Sequence, residues 1–168
     1  MNGASSSGRI AVCTWNVGEK RPTLAEVSDW LGAIEKKDLY FVFLIDKRNG
    51  GDEWLSELVT SSLRDEYKIC CALSSRLGSL VIAYRQKTCQ VSELSRSEAA
   101  VCLDIYGGIS VRITFKGRTL RCLALKMPPG EGRAAQRSAV VRESFRRLIL
   151  DNEIDDHIIL AGDLQYRL

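Results

Sequence analysis

Apolar positions fall in two rhythms along this chain, and stretches of the two alternate. Arg9 to Trp15 sets Ile10, Val12 and Thr14 on one face and Ala11, Cys13 and Trp15 on the other. Both faces are largely apolar, which predicts a central strand covered on two sides. Pro22-Thr23 then opens a helical stretch. Thr23 with Glu26 three residues on forms a capping box, and Leu24, Val27, Leu31 and Ile34 recur at helical spacing, with Trp30 bordering the stripe. Leu39 to Ile45 is a second apolar run and predicts a buried strand. Lys47 to Gly51 reads as a loop, after which Asp52 is placed to cap a helix bearing Trp54, Leu55, Leu58, Val59 and Leu63.

The second half turns to period two. Tyr67 to Leu73 and Gly78 to Tyr84 read as consecutive strands, and Cys89 to Leu94 as a short edge strand. Ala99 to Ile105 and Gly108 to Phe115 are strands joined around a glycine pair. Lys116-Gly117 is a hairpin turn signal, with Arg118 to Leu125 the return strand. Arg133 to Leu150 returns to helical spacing, with Val140, Val141, Phe145, Leu148 and Ile149 on the buried side. His157-Ile158-Ile159-Leu160-Ala161 predicts a last buried strand, running straight into Gly162-Asp163. Such an ending puts a carboxylate at the carboxyl end of a strand, where open α/β sheets keep their chemistry. Alone, the pair is equally a turn signal.

Strands and helices in this order argue for an α/β layered domain. A length of 168 residues sets one domain, with 1–8 (small and polar) a disordered lead and 9–168 the folded unit. No apolar run is long enough for a membrane helix, and the start lacks the apolar core of a secretory signal. The expectation is therefore a cytoplasmic domain, free, peripheral at a membrane or part of a larger assembly. The six cysteines, Cys13, Cys70, Cys71, Cys89, Cys102 and Cys122, sit mostly in strand-like runs and are expected to be reduced core thiols. With His157 the only histidine and no CxxC pair, a zinc site is improbable.

Net charge is +3, but Arg112 to Arg147 holds ten basic residues against Glu131 and Glu143. Such a segment suits phosphate-bearing partners, lipid headgroups or nucleic acid. A solvated helix face with outward strand residues explains it as well.

Four segments carry a resemblance, in order. Thr14-Trp15-Asn16-Val17 looks like a TWN strand. Tyr106-Gly107-Gly108-Ile109-Ser110-Val111-Arg112 resembles a GNKGGVxxR segment. Lys126-Met127-Pro128-Pro129-Gly130-Glu131 with Gln136-Arg137 resembles HLAAGE…QRN, and Gly162-Asp163-Leu164-Gln165-Tyr166-Arg167 resembles GDxNYR. These are the signatures of the inositol polyphosphate 5-phosphatases, a branch of the endonuclease/exonuclease/phosphatase superfamily. The resemblance runs from about Arg9 to Leu168. It implies a DNase I-like layered sandwich, present here as the amino-terminal part only, and Mg²⁺-assisted removal of the 5-phosphate from an inositol ring.

Carried over by position, the resemblance puts Asn16 and Asp46 at the metal. Asp163, Gln165 and Lys126 fall at the catalytic positions, and Tyr166, Arg167 and Tyr106 on the substrate side. Four of these depart from the pattern. Asp46 replaces a Glu, which draws its carboxylate back by about 1.5 Å, comparable with the Mg–O bond of roughly 2.0–2.1 Å. Gln165 replaces an Asn, and misplacement by about 1 Å can cost roughly a hundredfold in rate. Tyr106 replaces a phosphate-binding Lys. Lys126 replaces a His and, as a point cation, could either attract phosphate or set its ammonium where Mg²⁺ would sit, pairing with Asp46 or Asp163. The family's carboxyl-proximal Asp-His pair has no counterpart. Groups that act as a unit fail together, so the sequence predicts a pseudophosphatase kept for binding or scaffolding. An active Mg²⁺-dependent phosphoinositide 5-phosphatase fragment and a structural subunit of a larger assembly stand as alternatives. Fitting partners are a phosphoinositide or inositol phosphate, a protein completing the fold, and nucleic acid.

Overall fold

The period-two runs become two mixed sheets that face one another, and the helical stretches pack outside them. A computed structural model describes residues 8–18, 22–32, 36–46, 53–63, 66–75, 77–102, 106–149 and 154–164. In chain order the elements are β1 (Ile10–Gly18), α1 (Leu24–Gly32), β2 (Leu39–Asp46), α2 (Glu53–Leu63), β3 (Tyr67–Ser75), β4 (Gly78–Arg85), β5 (Val91–Cys102), β6 (Tyr106–Phe115), β7 (Arg118–Lys126), α3 (Ala134–Leu148) and β8 (His157–Asp163). One sheet has the order β1-β2-β4-β3 and the other β5-β6-β7-β8. Each has one parallel pair, β1 with β2 and β7 with β8, and is otherwise antiparallel.

Alternation along the strands sorts the apolar side chains into three clusters. Phe41, Phe43, Ile82, Ile109, Val111 and Cys122 meet between the sheets. Tyr40, Val42, Leu44 and Val81 point the other way and pack with Val27, Leu31 and Val59 of α1 and α2. Leu123 and Leu125 meet Val140 and Leu148 of α3 on the far side. The layers are helix, sheet, sheet, helix, each junction closed by side chains whose full burial is worth roughly 1.5–3 kcal/mol apiece. The box predicted at the start of α1 is formed: Thr23 N–H donates to Glu26 Oε2 at 2.7 Å and Glu26 N–H to Thr23 Oγ1 at 3.3 Å. Among the described residues no helix is long and apolar enough to cross a membrane, and the five cysteines whose side chains are described are free thiols.

Four expectations need correction. β1 is not central: among the described residues it pairs only with β2 and forms an edge, leaving Val12 44% exposed. β8 is likewise an edge, with Ile158 47% and Leu160 44% exposed and Ala161 its buried residue. In both cases an apolar run was read as two-sided burial, but the run reports side-chain chemistry and not the number of neighbouring strands. The short strand at Cys89 to Leu94 and the next at Ala99 are one strand, β5, continuous through Ser95-Arg96-Ser97. It tolerates those polar residues because it too is an edge. Leu24, assigned to the sheet-facing stripe of α1, is 46% exposed, and the buried residues of the helix are Val27 and Leu31. Residues 1–7, Asp52, Ile34 and the side chain of Trp54 lie outside the described residues.

The basic segment is largely neutralised. Arg121 is 1% exposed. Its Nε donates to Asp155 Oδ2 at 2.6 Å, and its Nη1 donates to Ser110 Oγ and to the Leu148 carbonyl. Arg112 Nε reaches Asp155 Oδ1 at 2.7 Å. Arg118 pairs with Asp156, Lys116 with Asp38, and Arg146 and Arg147 with Glu143. Six of the ten basic residues are thus ion-paired within the chain, with Arg118, Arg146 and Arg147 still exposed in their pairs, as on a solvated face.

Candidate functional site

Parallel pairing gathers the chemistry. Because β1 and β2 run parallel, as do β7 and β8, their carboxyl ends come together at one end of the two sheets. Asn16 lies near the end of β1, and Asp46, Lys126 and Asp163 are the last residues of β2, β7 and β8. Side chains alternate across a strand. Ile159 packs between the sheets, so Asp163, four residues on, points into the same space. Asn16 meets it from the opposite sheet: its Nδ2 donates to Asp163 Oδ2 at 3.0 Å, across 147 residues of sequence.

Two local devices fix that contact. The first is an Asx turn. Gly18 N–H donates to Asn16 Oδ1 at 3.1 Å, with Gly18 at φ 70°, a conformation glycine adopts freely. An N–H can donate only to the amide oxygen, so the Asn16 amide is oriented with its NH₂ toward the carboxylate. The second is Gly162, at φ 120°. A Cβ there would lie 2.0 Å from the Leu125 carbonyl oxygen, so only glycine lets β8 approach β7 immediately before Asp163. The sequence marked this pair as a strand end presenting a carboxylate, or as a turn, and missed the close approach.

Lys126 is the register partner of Asp163 in the parallel β7–β8 pair. Neighbouring strands are about 4.8 Å apart and paired residues share a face, so the lysine stem and the carboxylate leave the sheet side by side. Lys126 is half-buried and already engaged in polar contacts. A small cavity of about 140 Å³ opens beside Asn16 and Asp163, walled by Thr14, Trp15, Ile45 and Leu164. None of those four wall residues was singled out as a site residue from the sequence. The loop after Lys126 is tied down by Arg137, 9% exposed, whose Nη1 donates to the Pro128 and Gly130 carbonyls at 3.4 and 2.9 Å.

Tyr106 is not brought into this group. It opens β6 with its ring packed in the cluster on the α3 side, whereas Gly107, next in the chain, is the partner of Lys126. The neighbouring glycine has a packing role: a Cβ on Gly108 would lie 2.7 Å from Leu125 Cδ2 and 2.9 Å from Leu148 Cδ1. Asp46 is placed by its backbone, opposite Gly18; its side chain, with Gln165, Tyr166 and Arg167, lies outside the described residues.

Mg²⁺ demands near-octahedral oxygen ligation, and of the two residues assigned to it only Asn16 has a described side chain. The Asn16 oxygen accepts from Gly18 N–H and its NH₂ faces the Asp163 carboxylate. Lys126 is the backbone register partner of the one described carboxylate, and no group of three or more His, Cys, Asp or Glu able to hold a metal occurs among the described residues.

No family model matches the sequence, and no curated protein matches it. Solved structures do share its fold. The inositol polyphosphate 5-phosphatase domain of SPsynaptojanin, in complex with inositol (1,4)-bisphosphate and calcium ion, superposes with a TM-score of 0.75 at 17% identity, covering 95% of this chain and 53% of that one. D. rerio TDP2 complexed with single strand DNA product gives 0.62 at 18% identity, covering 93% and 60%. A β-hairpin deletion mutant of beta toxin from Staphylococcus aureus gives 0.60 at 12%, covering 96% and 68%. The architecture is therefore the DNase I-like layered fold, and the chain spans about half the length of the 5-phosphatase domain it matches.

Proposed function

We propose that this chain is an inositol 5-phosphatase-like domain that binds a phosphate monoester, of an inositol phosphate or phosphoinositide, with hydrolysis lost or strongly impaired. The observation that supports it most directly is the contact between Asn16 and Asp163 across the two sheets. It sits at the carboxyl ends of parallel strands, in a fold shared with a domain crystallised with inositol (1,4)-bisphosphate. Impairment is argued from chemistry. Asp163 has its Oδ2 occupied by an amide donor, and Lys126 stands where the resemblance places a His, so the imidazole that would share proton transfer is replaced. Lys126 can hold a phosphate oxygen as a point cation but is a poor proton acceptor at neutral pH.

A nucleic-acid partner has less support, although TDP2 with its DNA product shares the fold. The segment whose charge suggested it is paired internally, with Asp155, Asp156, Asp38 and Glu143. Phosphate release from a soluble inositol polyphosphate in Mg²⁺ buffer tests the reading, with Asp163→Ala as control. The expected result is no turnover above that control. Turnover that disappears in Asp163→Ala would make the chain an active phosphatase and overturn the impairment.

A further inference from the structure

We infer that Arg137 is a positioning residue for the Asn16–Asp163 site, acting from α3 through the loop that follows Lys126. On the phosphate-binding reading proposed above, this is the site that receives the ligand. The contact between Asn16 and Asp163 is exposed, and an amide hydrogen bond to a solvated carboxylate gains little over the same bond to water. It does not by itself hold the end of β8, and the backbone has to. Met127, the first residue past β7, donates its N–H to the Asp163 carbonyl at 3.1 Å. This bond lies next beyond the paired Lys126 and Asp163, and it forms only while the chain leaving β7 keeps to one path.

Arg137 sets that path. Pro128 and Pro129 have no N–H with which to bond the loop to itself, and Gly130 and Gly132 turn the chain at φ 99° and 72°. Pro128 is buried, and a buried carbonyl has to find a donor. A guanidinium is all donors and no acceptor, so it suits a place lined by carbonyls. Arg137 leaves the first turn of α3, where its own N–H bonds the Arg133 carbonyl at 3.0 Å. Its side chain reaches back to the Gly130 carbonyl at 2.9 Å and, more loosely, to that of Pro128 at 3.4 Å. Only 9% exposed, it makes these contacts under cover. The helix that carries it is itself fixed, with Val140 and Leu148 packed against Leu123, Leu125 and Met127. The Pro128 carbonyl is one residue from the Met127 N–H. Holding the loop therefore holds Met127 to the Asp163 backbone, and so presents the Asp163 carboxylate to Asn16.

Arg137→Met keeps the apolar stem, removes the donors and is read by NMR. The Met127 N–H should exchange at least about tenfold faster, as a bond at the end of a ladder does once it opens locally. The side-chain amide signals of Asn16 should shift with it, while the amides of Cys122 and Leu123 in mid-β7 keep their rates. Arg137→Lys, a cation of similar length, should restore most of both. Should Arg137→Met fail to fold, Arg137→Gln, which keeps a shorter donor, carries the same readings. Met127 and Asn16 unmoved in a folded variant would overturn the positioning role. So would faster exchange of every amide alike, which would make Arg137 a support of the fold at large. Calorimetric titration with inositol (1,4)-bisphosphate extends the test to the ligand. Binding should weaken about fivefold or more in Arg137→Met, the lower end of ordinary coupling between separated groups, and binding as tight as in the unaltered protein would overturn its service to the site. An unaltered protein that binds none would instead overturn the phosphate-binding reading, and the exchange rates would still decide the role of Arg137.

Discussion

At the scale of the residue, position in the ladder decides more than residue type. Gly162 is the clearest case. Its φ of 120° is strained for any L side chain, and an added Cβ would sit 2.0 Å from a main-chain oxygen that cannot swing aside. Gly162→Ala therefore has to part β7 from β8 or unwind the end of β8. Backbone strain alone costs about 1–3 kcal/mol, so a loss of at least about 3 kcal/mol is expected in urea unfolding, together with loss of the Asn16–Asp163 contact. A loss below about 1 kcal/mol would mean that the strands do not approach as closely as described. Asp163 was legible from the sequence, since a glycine and an aspartate closing an apolar run mark a strand end. The resemblance put Asn16 at the same site but gave no contact with Asp163, 147 residues away, because nothing local to Asn16 says what it faces. Tyr106 was placed with the substrate by motif position, and one step of strand alternation turned its ring to the α3 side.

Buried thiols give a second prediction at this scale. Burial pushes Cys122 up to about 12 and Cys13 up to about 11. Both are held as neutral thiols in the fold, whereas an unfolded chain titrates near the usual thiol value of about 8.5. Thiolate is the reactive form, so a disulfide reagent at pH 8 should label these two only as fast as the protein opens, and all six thiols promptly in denaturant. Prompt labelling of Cys122 in the native protein would contradict its placement between the sheets.

At the scale of the element, the link from α3 to β8 is held by charge. Asp155, whose side chain is 3% exposed, receives both Arg112 and Arg121, and Arg121 also donates to the last turn of α3. In the sequence these arginines were counted with a surface stripe, since composition cannot distinguish an arginine that meets solvent from one that closes a connection. Removing one partner of a buried pair costs about 3–5 kcal/mol. Asp155→Ala is therefore expected to lower stability by that amount and to loosen β8, read as faster amide exchange from His157 to Asp163. A change under about 1 kcal/mol would show that the pair is solvated. Asp156, next in the chain, is exposed and answers to pH. The Thr119 N–H, then the Thr119 hydroxyl and Arg118, hold its carboxyl down at about 2, below the usual value of about 3.9. A depressed carboxylate contributes stability above its unfolded pKa and loses it as pH falls through the folded one. The contribution is therefore whole above about pH 4 and gone near pH 2, and Asp156→Asn should flatten the acid limb of the stability curve in that window. An unaltered limb would remove Asp156 from the acid response.

At the scale of the whole molecule, the four sheet edges are unequal, and that inequality is the last property the sequence concealed. β5 carries Glu93, Arg96 and Glu98 and two register shifts, and β3 carries Lys68 and one shift. Charges and bulges of that kind keep an edge from pairing with other chains. β1 has no charged residue, and its shift falls only at its end. β8 has no charge before Asp163 and no shift, and between them these two strands expose Val12, Ile158 and Leu160. The alternating patterns that revealed an α/β layered fold are the same patterns a fully flanked strand would show. Period two reports which faces are apolar and is silent on hydrogen-bonding neighbours. Both open edges lie on the side that bears the Asn16–Asp163 contact, in a chain that spans 53% of the 5-phosphatase domain it superposes on. Left as a monomer at high concentration, this chain is expected to pair edge to edge with its own copies, as uncovered apolar edges do. Light scattering with concentration should show that association. Val12→Lys combined with Ile158→Lys should abolish it, since a charge on an edge strand blocks strand addition, while a lysine placed on β5 at Ser95 should leave it unchanged. Association that survives the first pair, or that yields to the Ser95→Lys control, would mean that β1 and β8 are not where copies meet.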